Sequence, residues 1–84
     1  MNPLKKERQQ LAKAILEIYA VYISTGEEKE PMTISLPDLS RMAGLPQEFT
    51  ENVLIEFIGE KIINMQESAI TITDEKVLKK IAGW

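Results

Sequence analysis

The chain has 84 residues, enough for one small domain and not for two. Hydrophobic residues at 44% and charged residues at 27% are the balance of an ordinary globular domain, and no apolar run approaches the ~18 residues of a membrane span. There is no cysteine and no histidine, which removes disulfide scaffolds, zinc ribbons, thiol nucleophiles and the usual neutral-pH general base. No enzymatic site is legible in what remains, and no cofactor is implied. The polar N-terminus lacks the apolar core of a secretory signal, so the expected location is cytoplasmic.

The net charge of −3 is unevenly distributed. Residues 1–13 carry Lys5, Lys6, Arg8 and Lys13 against Glu7 alone, whereas residues 46–60 carry Glu48, Glu51, Glu56 and Glu60 with no cation. The simplest reading of the basic cluster is a solubilising first turn, and of the four glutamates a solvated helix face.

In chain order, residues 4–23 predict a long amphipathic helix, with Leu4, Leu11, Ile15, Tyr19, Tyr22 and Ile23 at three- and four-residue spacing and Ile18 widening the stripe. Asn2 and Pro3 are suited to its start and Gly26 to its end. A charged loop, Thr25 to Pro31, leads to a short β-prone stretch, Met32-Thr33-Ile34. Ser35 with Asp38 three positions on is a cap pattern opening a brief helix over 36–43, with Leu39, Met42 and Ala43 inward. Gly44 stands where a left-handed C-terminal residue belongs. Leu45-Pro46 restarts the chain into a helix over 47–60, with Thr50, Val53, Leu54, Phe57 and Ile58 inward.

After Gly59 the period changes to alternation. Ile63 and Met65, then Ile70 and Ile72, read as two strands of a hairpin with a three-residue tip, Gln66-Glu67-Ser68. Thr73-Asp74 opens a last helix, 75–82, before Gly83 and Trp84. Two helices joined by a tight Gly-containing turn are a helix-turn-helix, and one followed directly by a hairpin is winged. The expected fold is therefore α+β and mostly helical, a single winged helix-turn-helix domain over residues 1–84, with the helix-turn-helix at 36–60 and the wing at 62–73.

Residues 33–73, TISLPDLSRMAGLPQEFTENVLIEFIGEKIINMQESAITIT, resemble the C-terminal DNA-binding domain of the Crp/Fnr family of bacterial transcription regulators. The short strand ending at Ser35, the eight-residue helix, the Ala43-Gly44 turn, the long second helix and Lys61-Ile62-Ile63 leading into the wing carry the likeness together. The resemblance implies transcription regulation by insertion of the 47–60 helix into the DNA major groove. It also implies that the effector-sensing domain of that family would lie N-terminal to this segment.

The family's recognition helix begins Ser/Thr-Arg-Glu-Thr-Val-x-Arg, and here the corresponding run is Pro46-Gln47-Glu48-Phe49-Thr50-Glu51-Asn52. Glu48 falls on the family's cytosine-reading Glu. Gln47 and Asn52 replace the two arginines, and both amides can read adenine bidentately. Ser35 matches a phosphate-contacting residue at the first helix's N-terminus, and Arg41 and Lys61 are further phosphate candidates. Pro46, Phe49 and Leu36 depart from the family's hydroxyl and basic phosphate contacts. Phosphate contacts supply most affinity, so weak binding of double-stranded DNA by the isolated domain is the expectation.

The alternative is a winged-helix protein-interaction module that has lost strong DNA binding. Phe49 weighs between the two: packing beneath Leu45 or Val53 is the simpler expectation, while an exposed ring marks a protein contact. The first helix has more apolar surface than one small domain covers, which suggests a homodimer or an absent N-terminal domain as partner.

Overall fold

A computed structural model describes residues 5–26 and 31–84. The proposed start at Asn2 and Pro3, Leu4, and most of the charged loop lie outside the described residues. The order is α1 (Lys5–Ser24), α2 (Leu36–Ala43), α3 (Gln47–Gly59), β1 (Ile63–Gln66), β2 (Ala69–Ile72) and α4 (Glu75–Ala82). The class is α+β and mostly helical. No described helix is long and apolar enough to cross a membrane.

Helix α1 is the surface on which α2, α3 and α4 assemble. Its buried stripe, Arg8, Leu11, Ala12, Ile15 and Leu16, follows the spacing of one helical face. Burial fades toward the C-terminal end, where Tyr19 and Tyr22 are half-buried and stack with ring centroids 6.5 Å apart. Ile23 is exposed, contrary to its place in the expected stripe, because α1 runs on beyond the elements that cover its first four turns.

The caps of α2 form as the residues dictate. Ser35 accepts a hydrogen bond from the Asp38 amide at 3.3 Å, and Gly44 ends the helix at φ 70°, ψ 32°, a left-handed conformation that costs glycine nothing. Leu39, Ser40 and Ala43 are buried, but Met42 is exposed. Met42 is about 100° around the helix from Ala43, beyond the face that α1 and α3 cover.

Thr50, Val53, Leu54 and Phe57 form the buried stripe of α3, and Ile58, expected inward, lies largely outside it for the same geometric reason. Pro46 gives this helix no side-chain cap. The buried Thr50 hydroxyl instead donates back to the Pro46 carbonyl at 3.2 Å, so burying it leaves no orphaned donor.

Lys61, at φ 61°, breaks the chain out of α3, and the Ile62 amide donates to the Phe57 carbonyl at 2.9 Å. The hairpin is antiparallel, pairing Ile63 with Ile72 and Met65 with Ile70. Its tip is Glu67-Ser68 rather than three residues, since Gln66 pairs with Ala69. Glu67 takes the positive φ, 57°, that two-residue connections require. The stretch 32–34 contributes one antiparallel bridge, Thr33 to Ala69, flanked by hydrogen bonds from Ile34 N to Ser68 O and from Ile70 N to Met32 O. That bridge adds a rudimentary third strand to the hairpin.

Asp74 caps α4 by accepting from the Val77 amide at 3.2 Å, and Leu78 and Ala82 bury against α1. The resulting core is continuous, from Leu11 and Ile15 through Leu39, Val53 and Phe57 to Ile62, Ile63, Ile70 and Leu78.

Candidate functional site

The residues with chemistry to offer gather on the solvent side of α3. With Thr50, Val53, Leu54 and Phe57 fixing the inward direction, the opposite ridge carries Glu48, Asn52, Ile55 and Gly59, spaced by three and four. Gln47, Glu48 and Asn52, the three base-reading candidates, are all exposed on the N-terminal half. Their side chains present one carboxylate and two amides, a set that can both donate to and accept from base edges.

The phosphate candidates occupy three separate boundaries. Ser35 is exposed at the start of α2, with its hydroxyl engaged as the cap. Arg41 lies in the last turn of α2 with its side chain 78% exposed, and it makes an ion pair with Asp38 at 3.5 Å. Such an exposed pair holds an arginine weakly, leaving it free to turn to another anion. Lys61 is exposed just past α3, held by its left-handed backbone.

Phe49 does not pack beneath Leu45 or Val53: it is 42% exposed. The reason is its position, one residue before Thr50, which takes the inward place at 0% exposure. Ile55, on the outward ridge, is 60% exposed, and sequence reading did not single it out. Its signal was available, because its spacing from Glu48 and Asn52 places it on their face rather than on Phe57's.

Lys5, Lys6 and Lys13 are exposed as the sequence suggests, and so are Glu48 and Glu51, but Arg8, Glu56 and Glu60 depart from that reading. Arg8 is no surface solubiliser: it is buried to 9% exposure and reaches from α1 to the C-terminal end of α3. Its Nη1 donates to Glu56 Oε1 at 2.7 Å and to Glu60 Oε2 at 2.6 Å, and its Nη2 donates to Glu60 Oε1 at 2.8 Å. The guanidinium carbon also lies 5.0 Å from the centroid of the Phe57 ring, within cation–π range. Hydrogen bonding to Glu60, against opposition from desolvation, raises the arginine pKa further above its already high value. The same bonds hold the Glu60 carboxyl below the usual carboxylate range. Two of the four glutamates of the run are thus paired with Arg8, while Glu48 and Glu51 are exposed.

A groove of about 540 Å³ runs between the C-terminal half of α1 and the chain around 31–34. Ile18, Val21, Tyr22, Met32, Ile34 and Met42 line it, with Glu17 at its edge. Val21, 62% exposed, is the most prominent part of the apolar surplus expected for α1. No protein-family model, curated protein or solved structure matches the chain.

Proposed function

We propose that this chain is a winged helix-turn-helix DNA-binding domain of a Crp/Fnr-like bacterial transcription regulator, in which α3 enters the major groove. The observation that carries this reading is the exposure of Gln47, Glu48 and Asn52 together on the N-terminal half of the second helix of a helix–turn–helix pair. In such pairs that half meets base edges. Glutamine and asparagine are adenine readers, and glutamate accepts from the cytosine amino group. Arg41 and Lys61, with the Ser35 cap, supply backbone contacts of modest strength. An isolated domain of this kind binds DNA weakly and depends on a second copy or an N-terminal effector domain for useful affinity. The apolar surplus of α1 is the surface that supports such a partner.

A second reading is favoured by the exposed Phe49 and Ile55, which a groove-reading surface does not need. Under it, the same helix is the apolar and acidic face of a protein-interaction module, and its partner is a basic protein surface.

NMR titration of the labelled protein with a mixed-sequence duplex at low salt separates the two. Shifts at Ser35, Arg41 and residues 47–52 that vanish as salt rises are the expected result. No shifts at high-micromolar DNA would retire the DNA reading for the isolated chain and leave the interaction module.

A further inference from the structure

The Arg8 network has a consequence for what α3 can approach. Glu56, on the flank of α3 that turns toward α1, and Glu60, just past the helix end, are one turn apart, and Glu56 is four residues beyond Asn52. Residues at that spacing are neighbours on a helix surface. Without a counter-charge, the Glu56 carboxylate would therefore stand beside the candidate base reader, with Glu60 one turn further on, and α3 has no lysine or arginine of its own. Arg8 supplies that counter-charge from another element, 48 and 52 residues away in the chain. It does so with a planar fork that meets Glu60 through two bonds and Glu56 through a third. Lysine cannot reproduce this geometry.

We infer that Arg8 is a positioning residue that acts as the built-in counter-ion of α3, setting the charge the helix shows to a polyanion and fixing its C-terminal half against α1. The consequence for binding rests on the DNA reading above, whereas the counter-ion role itself does not. Burying an arginine only to hold two half-exposed glutamates is a poor way to gain stability, because desolvation offsets much of the attraction. Screening a groove-facing helix is a use that this arrangement fits.

The test has one arm without DNA and one with it. In the first, relaxation of the α3 amides by a cationic and by an anionic nitroxide cosolute reports the local potential. In R8Q the ratio of cationic to anionic enhancement at residues 52–60 rises about twofold relative to wild type. In R8Q/E60Q, which restores the local net charge, it returns to the wild-type value. An unchanged ratio in R8Q overturns the inference. Should R8Q not fold, E60Q must move the ratio in the opposite direction, and no change there overturns it equally. In the second arm, R8Q binds a mixed-sequence duplex about threefold more weakly than wild type at low salt, and R8Q/E60Q recovers wild-type affinity. If R8Q/E60Q binds as weakly as R8Q, Arg8 acts through packing and the counter-ion role in binding is refuted. If wild type binds no duplex while the nitroxide ratios shift as stated, the DNA reading fails and the counter-ion role stands.

Discussion

Arg8 and Glu60 meet through two parallel hydrogen bonds, 2.6 and 2.8 Å long, that join the first turns of α1 to the residue just past the end of α3. The arginine is buried and the glutamate side chain is 48% exposed, so removing the arginine strands carboxylates that water can still reach. Arg8→Met is expected to destabilise the fold by about 2 kcal/mol, the range of charge-assisted hydrogen bonds that are partly solvated. Glu60→Gln is expected to cost less, because Glu56 continues to pair the guanidinium. Urea denaturation of the three proteins at neutral pH checks the order.

The same contact makes stability depend on pH. Hydrogen bonding to Arg8 lowers the Glu60 pKa in the folded protein, so the unfolded chain takes up this proton first as pH falls. The stabilisation is complete above the ordinary glutamate pKa and is lost as pH drops through the folded value. Wild type should therefore lose more thermal stability than Arg8→Met between neutral pH and the acid range. Equal losses in the two proteins, measured by thermal melts across that range, would contradict this linkage.

Ser35 separates a structural role from a binding one. Its hydroxyl caps α2, so Ser35→Ala should cost about 1 kcal/mol of stability. Aspartate caps as well as serine, so Ser35→Asp should restore stability. Under the DNA reading the added carboxylate repels phosphate, and Ser35→Asp should bind a duplex more weakly than wild type. Stability and affinity moving together across both variants would assign Ser35 to the fold alone.

Asn52 is exposed and lies on the outward ridge of α3. Asn52→Ala should leave the unfolding free energy nearly unchanged. Under the DNA reading it should weaken binding to a preferred duplex by ~1–3 kcal/mol while barely changing the salt dependence. An equal loss on every sequence would remove Asn52 from base reading.

Phe49 and Phe57 make an internal control for burial. Phe57 is fully buried beneath the Arg8 guanidinium, and Phe57→Ala should cost about 3–5 kcal/mol. Phe49→Ser, at a 42% exposed position, should cost well under half of that. Circular dichroism under urea distinguishes them directly. A large loss at Phe49 would mean that the ring is packed, and would withdraw the support it gives to the interaction reading.

Sequence alone determined the parts of this protein that depend on local chemistry. The helix spans followed from apolar spacing, the ends of α2 and α4 from Ser35, Gly44, Asp74 and Gly83, and the hairpin from the shift to alternation after Gly59. These are decided within a few residues by capping geometry and periodicity. The tip lost one residue to pairing, because Gln66 is as able to join a ladder as to turn.

Tertiary structure decided what each exposed-looking or buried-looking side chain meets. Met42, Phe49 and Ile58 are apolar residues beside the buried stripes of their helices, and only the positions of neighbouring elements determine which edges are covered. Arg8 is the clearest case. A cation in the first turns of a helix is ordinary surface by composition. Its burial against Phe57, Glu56 and Glu60 depends on how α1 crosses α3, a relation between residues some fifty positions apart that no local pattern records.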